Sequence, residues 1–288
     1  MLTSIEELCF ETGRVLVQQL ARAGIEVLKT AAFEPGNFTV EKASPRLGEI
    51  KRLGKRIVTL IAHDKDKRTV ASSAALESMT KNWGWIGLGP LERSLEVSAP
   101  PPSSMQGWLY FRPVFPSVDL KTFAEHVSYH SKSKVGFDIS AESVDLTSNV
   151  PLYNAYNAYN AVMLYARAVT SVMSEGGNFY DGSEVTAAMR NMTFAGVGDS
   201  AVTLDPVTGD LSESYEVMNY VFKAQGGMGS IPVGVFNRSG SIVGYFAYKR
   251  EVVWPGSTVE VPADHLAGSF FLAYCIIPLL AFLRVLQC

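Results

Sequence analysis

The histidines are the first residues whose type and spacing suggest chemistry. His126 and His130 lie four positions apart on a predicted helix, a spacing at which two imidazole rings can bind one metal ion. The intervening sequence (HVSYH) lacks the glutamate that follows the first histidine in zinc-protease helices. We therefore interpret the pair as part of a solvated helix face, and the sequence predicts no metal site and no cofactor.

Two glycine-containing segments resemble nucleotide-binding loops, but both depart from the pattern. GEIKRLGKR (48–56) separates its glycines by five residues, where a phosphate loop has four, and ends in arginine instead of Ser/Thr. Gly87-x-Gly89 follows a predicted strand, but Pro90 interrupts the dinucleotide-binding pattern. The sequence also has no G-x-S-x-G motif, and no Cys–His pairing can be placed by spacing. We therefore predict no enzyme activity.

The composition is that of a folded protein of moderate charge. The chain has 288 residues, of which 47% are hydrophobic and 18% charged, and its formal net charge is -3. At about 150 residues per domain, this length predicts one large domain or two lobes. A net charge near zero argues against the basic face that phosphate neutralisation requires, so no nucleic-acid partner is predicted.

The first part of the chain alternates helix and strand patterns. Apolar runs rich in β-branched and aromatic residues are typical of parallel strands covered on both faces. The amphipathic stretches between them are typical of helices. This alternation predicts an α/β fold, with an open parallel sheet between helices. The predicted elements are a helix over 4–23 with a capping box at Ser4 and Glu7, strands over 25–33, 56–62, 83–89 and 107–115, and a helix over 66–80.

Beyond residue 151 two helices are followed by short strands separated by turns. Glycine-containing turns between apolar segments are typical of antiparallel hairpins. The predicted helices cover 152–174 and 181–191, and the predicted strands cover 202–205, 214–222, 231–236 and 241–248.

The apolar residues collect near the C-terminus. Residues 266–283 (LAGSFFLAYCIIPLLAFL) contain no charged side chain. As a helix they would rise about 27 Å, close to the hydrocarbon thickness of a bilayer. We predict a single transmembrane helix there, and Arg284 after it predicts a short cytoplasmic C-terminus with the N-terminal body outside. A buried C-terminal helix is the alternative.

Potential modification sites agree with an exported body. Asn-x-Ser/Thr sequons at Asn37, Asn191 and Asn237 predict N-glycosylation. Two of the three cysteines lie in or after the apolar run, which leaves Cys9 in the body. Cys9 is either a buried thiol or half of a disulfide whose partner lies in a preceding segment.

Several motifs resemble one receptor family. YNAV (159–162) stands where that family usually has Tyr-Asp-Ala-Val, and FAGV (194–197) is followed by Gly-Asp where the family usually has Thr-Gly. VWPG (253–256) resembles the end of the family's ectodomains, next to the membrane helix. The pattern is similar to the ligand-binding region shared by natriuretic-peptide-type receptor guanylyl cyclases, class C G-protein-coupled receptors and bacterial branched-chain amino-acid-binding proteins.

The resemblance implies a periplasmic-binding-protein type I fold, a two-lobe clamshell that closes on its ligand. It covers most of residues 1–262, but the portion with which the family opens is missing. The expected architecture is therefore an N-terminally incomplete clamshell over 1–262, followed by the transmembrane helix over 266–283. An effector such as a cyclase would lie on a missing segment or on a partner.

Within such a fold, ligand-binding residues are expected where the parallel strands end, since open α/β sheets bind ligands there. His63 and Asp64 follow one predicted strand, and Gly89 follows the next. Tyr156 and Tyr159, near the start of the long helix, are further candidates. The alternative roles are a helix N-cap, formed by Asp64 or Asp66, and core packing for the tyrosines.

The sequence thus predicts the extracellular ligand-binding region of a membrane-anchored cell-surface receptor, of guanylyl-cyclase-receptor type. It would sense a small molecule or a peptide by lobe closure, and a homodimer is left open. The alternative is a solute-binding protein that delivers a small ligand to a transporter. A third hypothesis, an enzyme on a similar sheet, lacks catalytic residues.

Overall fold

A computed structural model describes residues 1–88, 102–114, 120–136, 149–197, 201–206, 209, 211, 214–223, 226–239 and 242–259. The chain divides into two units, which we describe separately. The first comprises Met1–Pro113, Ser214–Asn237 and Gly244–Cys288, and the second comprises Val114–Glu213 and Arg238–Val243.

The structure contains α-helices and β-strands in alternation, followed by a run of strands. The strands are β1 (Leu2–Ser4), β2 (Ala31–Phe33), β3 (Ile57–Ile61), β4 (Gly84–Leu88), β5 (Leu109–Pro113), β6 (Thr193–Ala195), β7 (Ala201–Thr203), β8 (Tyr215–Phe222), β9 (Met228–Ser239) and β10 (Ile242–Tyr248). The helices are α1 (Glu7–Arg22), α2 (Val40–Arg52), α3 (Asp64–Leu76), α4 (Leu120–His130), α5 (Asn149–Ser174) and α6 (Gly182–Arg190).

An eight-stranded sheet forms the centre of the first unit, in the order β10-β9-β8-β5-β4-β3-β1-β2. The strands β1 to β5 pair in parallel with their neighbours, whereas β8 pairs antiparallel with both β5 and β9. The predicted α/β class and its mostly parallel sheet are therefore confirmed. The predicted strands over 56–62, 83–89 and 107–115 correspond to β3, β4 and β5.

Side chains of the central strands alternate between two apolar clusters, because successive residues of a strand point to opposite faces. On one face, Val58 and Trp85 pack with apolar residues of α2 and α3. On the other face, Ile61 and Ile86 pack with Leu16 and other apolar residues of α1. The sheet is thus covered on both faces, which explains why β3 and β4 are almost uninterrupted apolar runs.

The predicted helix over 4–23 is confirmed as α1 (Glu7–Arg22), but its start is corrected, because the N-terminal residues form the strand β1. Leu2 pairs with Ala31 of β2 and with Leu60 of β3, so β1 is hydrogen-bonded along both edges. The capping box is also wrong, since Glu6 is the N-cap of α1 without a side-chain cap, and the Ser4 hydroxyl accepts a hydrogen bond from the Glu6 backbone N–H. Pairing with two strands outweighs the local preference of Ser4 for a helix start.

The second unit packs α5 against α6 and against the hairpin of β6 and β7. Leu164 of α5 packs with Phe194 and Val202 of the hairpin. The Asn160 side-chain oxygen accepts a hydrogen bond from the Val197 backbone N–H at 3.0 Å. The two family-like motifs YNAV and FAGV therefore contact each other directly.

Among the described residues, no helix is both long enough and apolar enough to cross a membrane. The predicted transmembrane helix, 266–283, lies outside the described residues.

Within the first unit, residues 252–258, which we call the Trp254 segment, are held against the sheet. Asn219 is fully buried, and its amide accepts a hydrogen bond from the Val253 backbone N–H and donates to the carbonyl oxygens of Val253 and Trp108. At Gly107 the backbone φ is 82°, and an added Cβ would lie 2.1 Å from the Pro255 nitrogen. Only glycine fits there, because any side chain would displace Pro255.

We expect Gly107→Ala to destabilise the protein far more than Gly54→Ala, which is the matched control. Gly54 also has a positive φ, of 73°, but an added Cβ would meet no atom within 4 Å. The control should cost about 1–2 kcal/mol from the left-handed backbone alone. The clash with Pro255 should add about 1–3 kcal/mol. Urea unfolding followed by tryptophan fluorescence measures both free energies, and equal losses would contradict the packing described here.

Candidate functional site

The strand order reverses at β1 and β3. From β1 the chain passes through α1 to β2 on one side, and from β3 it passes through α3 to β4 on the other. Crossover helices that diverge in this way leave a crevice outside the carboxyl ends of the two strands, where open α/β sheets bind ligands. The residues that follow β1 and β3 therefore form the candidate site.

Three side chains with metal-ligating atoms meet in this crevice. Glu6 follows β1 and precedes α1, Cys9 lies in the first turn of α1, and His63 lies between β3 and α3. One carboxylate oxygen of Glu6 contacts Nε2 of His63. The carboxylate oxygen, the thiol sulfur and the imidazole nitrogen all lie within 4.8 Å of one another. We refer to Glu6, Cys9 and His63 as the strand-end cluster.

Burial and neighbouring charge keep the thiol of this cluster protonated at neutral pH. Burial and the Glu6 carboxylate raise the pKa of Cys9 to about 11, although Lys67 acts in the opposite direction. Burial also raises the pKa of the nearby Asp66 carboxyl above its ordinary value, and a backbone hydrogen bond from Gly36 partly opposes that shift.

A cavity of about 490 Å³ lies beside the ends of β1 and β2. Its apolar wall contains Phe33 and Phe38, whose rings stack with centroids 4.1 Å apart. The guanidinium of Arg46 lies 5.7 Å from the centroid of the Phe38 ring. The complete lining is Ile5, Ala32, Phe33, Glu34, Asn37, Phe38, Lys42 and Arg46.

The cavity combines apolar and charged surface in a way that suits a small organic ion. The aromatic rings can pack against an apolar group, and Arg46 and Lys42 can bind a carboxylate through charge-assisted hydrogen bonds. Glu34 can bind an ammonium group. Few polar groups placed around an apolar wall are typical of small-molecule sites.

The structure places the residues that the sequence suggested for ligand binding in both units. In the first unit, His63 lies at the end of β3 as predicted, and its position as N-cap of α3 corrects the alternative in which Asp64 caps that helix. The side chain of Asp64 and the whole of Gly89 lie outside the described residues. In the second unit, Tyr156 is 5% exposed and Tyr159 is 50% exposed. A role of these residues in binding stays a prediction.

The sequons and the histidine pair lie on exposed surface where the structure describes them. Asn37 and Asn191 are exposed, whereas the side chain of Asn237 lies outside the described residues. Glycosylation stays a prediction at all three positions. His126 and His130 are exposed on α4, with ring centroids 6.5 Å apart.

Sequence reasoning missed Glu6, Cys9 and the residues that line the cavity. Glu6 and Cys9 are separated from His63 by more than fifty positions, so no spacing motif connects them. The usable signal was the end of β1, but the helix pattern that begins at Ser4 concealed that strand. Arg46 and Phe38 carry no signal beyond an amphipathic helix and a polar loop.

Comparison with known proteins assigns the family. The pattern described as the receptor family ligand binding region matches residues 1–223, which is most of the chain. The chain belongs to this family. Members of this family share a ligand-binding region that is itself non-catalytic, which agrees with the expectation of no enzyme activity in this segment.

Two relatives fit the resemblance noted in the sequence. Guanylate cyclase 32E of Drosophila melanogaster is 32% identical over 106 residues, which are 37% of this chain and 9% of that protein. Metabotropic glutamate receptor-like protein E of Dictyostelium discoideum is 28% identical over 98 residues, 34% of this chain and 11% of that protein. The chain thus spans about a tenth of the length of each relative.

Proposed function

We propose that the chain is the extracellular ligand-binding region of a membrane-anchored receptor, and that the first unit binds a small carboxylate-bearing ligand. The observation that carries the proposal is the cavity beside β1 and β2, which is lined by the stacked rings of Phe33 and Phe38 and by the cations Lys42 and Arg46. Family membership supports ligand binding in general. The name of the glutamate receptor-like relative makes amino acids the first ligands to test.

Arg46 is the cavity residue whose role can be tested most sharply. Its guanidinium can bind a carboxylate through two parallel hydrogen bonds. Arg52 provides a matched control, because it lies on the same helix, is exposed and does not line the cavity.

We expect Arg46→Gln to weaken ligand binding about 10- to 100-fold and Arg52→Gln to leave it unchanged. A hydrogen bond to a charged group contributes about 1.5–3 kcal/mol, which corresponds to that range. Isothermal titration of the full chain with a panel of free amino acids, including glutamate and leucine, measures the affinities. Equal losses in both variants, or no binding by the unaltered chain, would contradict a carboxylate site at Arg46.

Membrane anchoring rests on the apolar run over 266–283 and is tested by extraction. We expect the full chain expressed in animal cells to stay in the membrane pellet after an alkaline carbonate wash, since eighteen apolar residues suffice to span a bilayer. A variant that lacks 266–283 should be released. Release of the full chain would contradict membrane anchoring and favour the solute-binding alternative.

An extracellular body predicts glycans at the three sequons. Treatment with an N-glycosidase should increase the electrophoretic mobility of the full chain, and Asn37→Gln, Asn191→Gln and Asn237→Gln should each remove one step of that shift. A chain that reaches the membrane and shows no shift would place the body on the cytoplasmic side.

A further inference from the structure

We propose that Glu6, Cys9 and His63 form a binding site for a thiophilic divalent cation of the zinc class. The three side chains offer one oxygen, one sulfur and one nitrogen, all within 4.8 Å of one another. In a tetrahedral zinc site with ordinary bond lengths, ligand atoms lie about 3.3–3.8 Å apart. Small rotations of the three side chains would therefore bring their ligand atoms to the separations of a tetrahedral site.

The backbone fixes all three positions before any ion arrives. β1 and β3 are adjacent parallel strands, with Thr3 paired to Ile61, so the residues that follow them are neighbours. Glu6 and Cys9 are three positions apart at the start of α1 and share one side of it. The Thr3 hydroxyl donates a hydrogen bond to the Cys9 carbonyl oxygen at 3.0 Å, which ties that turn of the helix to the strand.

The donor set selects the metal. Thiolate and imidazole ligands favour zinc and similar ions, whereas Ca²⁺ and Mg²⁺ prefer sites built only of oxygen atoms. Binding would release the thiol proton, since cysteine ligates as thiolate. The other charged side chains that influence Cys9, Asp66 and Lys67, have opposite signs, so they add little net charge to the site.

The site is open on one side. Cys9 is buried, but the side chains of His63 and Glu6 are 40% and 42% exposed, so an ion can enter from solvent. Three protein ligands leave a fourth position for water or for a ligand group. Glu6 follows Ile5 of the cavity wall directly in the sequence, but none of the three cluster residues lines the cavity. The metal site nevertheless stands independently of ligand binding at Arg46.

Cobalt and zinc chloride are the probes for this site. The full chain should carry Cys275→Ser and Cys288→Ser, so that Cys9 is the only thiol. We expect Co²⁺ to give a thiolate-to-metal charge-transfer band that Zn²⁺ abolishes, and competition with a chromophoric chelator to show one equivalent of Zn²⁺ bound.

Variants decide whether the strand-end cluster is the site. Cys9→Ser should abolish the charge-transfer band. His63→Gln and Glu6→Gln should each weaken Zn²⁺ binding by more than about 100-fold, since loss of a residue that only hydrogen-bonds to a metal ligand already costs about 10- to 100-fold. His126→Gln, an exposed histidine on α4, is the control and should change nothing.

Because Cys9 is buried, its substitution could unfold the protein, and circular dichroism would show this. In that case the double variant Glu6→Gln/His63→Gln tests the site instead, since the side chains of Glu6 and His63 are partly exposed. The proposal is overturned if the unaltered cluster gives no charge-transfer band, or if the folded double variant binds Zn²⁺ as tightly as the parent.

Discussion

Hydrogen bonding of β1 along both edges is the constraint on which the first unit depends. The strand has only three residues, yet it joins β2 on one side to β3 on the other. With β1 in this place, α1 must cover one face of the sheet while α2 and α3 cover the other. Buried backbone groups need partners, and a strand inside a sheet supplies them on both edges. The same pairing sets the point at which the strand order reverses.

That reversal explains why functional groups collect where they do. The strand-end cluster and the cavity both lie at the carboxyl ends of β1 and its two neighbours, so one structural feature positions both. The residues involved come from four separate stretches of sequence. Their side chains come from strand ends, helix starts, the middle of α2 and the short connection between β2 and α2. A site of this kind is built largely before a ligand arrives, so little of the binding free energy is lost in ordering it.

The sequence predicted the elements whose local pattern and tertiary environment agree. β3 and β4 were found because a strand covered on both faces is apolar throughout, as Val58 and Trp85 illustrate. β1 was not found because its three residues, Leu-Thr-Ser, carry little β pattern and precede a strong helix signal. His63 could be placed at a strand end, but its neighbours Glu6 and Cys9 could not, since their position depends on the pairing of β1. Contacts between residues that are far apart in the sequence therefore could not be predicted.

The Trp254 segment is held to the sheet of the first unit, which bears on the receptor function proposed above. Asn219 and Gly107 bind that segment to the antiparallel side of the sheet, whereas the cavity lies at the β2 edge. Packed interiors move as bodies and resist continuous deformation, so residues 252–258 follow the sheet to which they are bound. A ligand shifts an equilibrium only by its difference in affinity for two states. Ligand binding in the cavity therefore shifts no equilibrium if the cavity has the same affinity for the ligand in both states. For the proposed receptor, a signal therefore requires ligand contacts that exist in one of the two states alone.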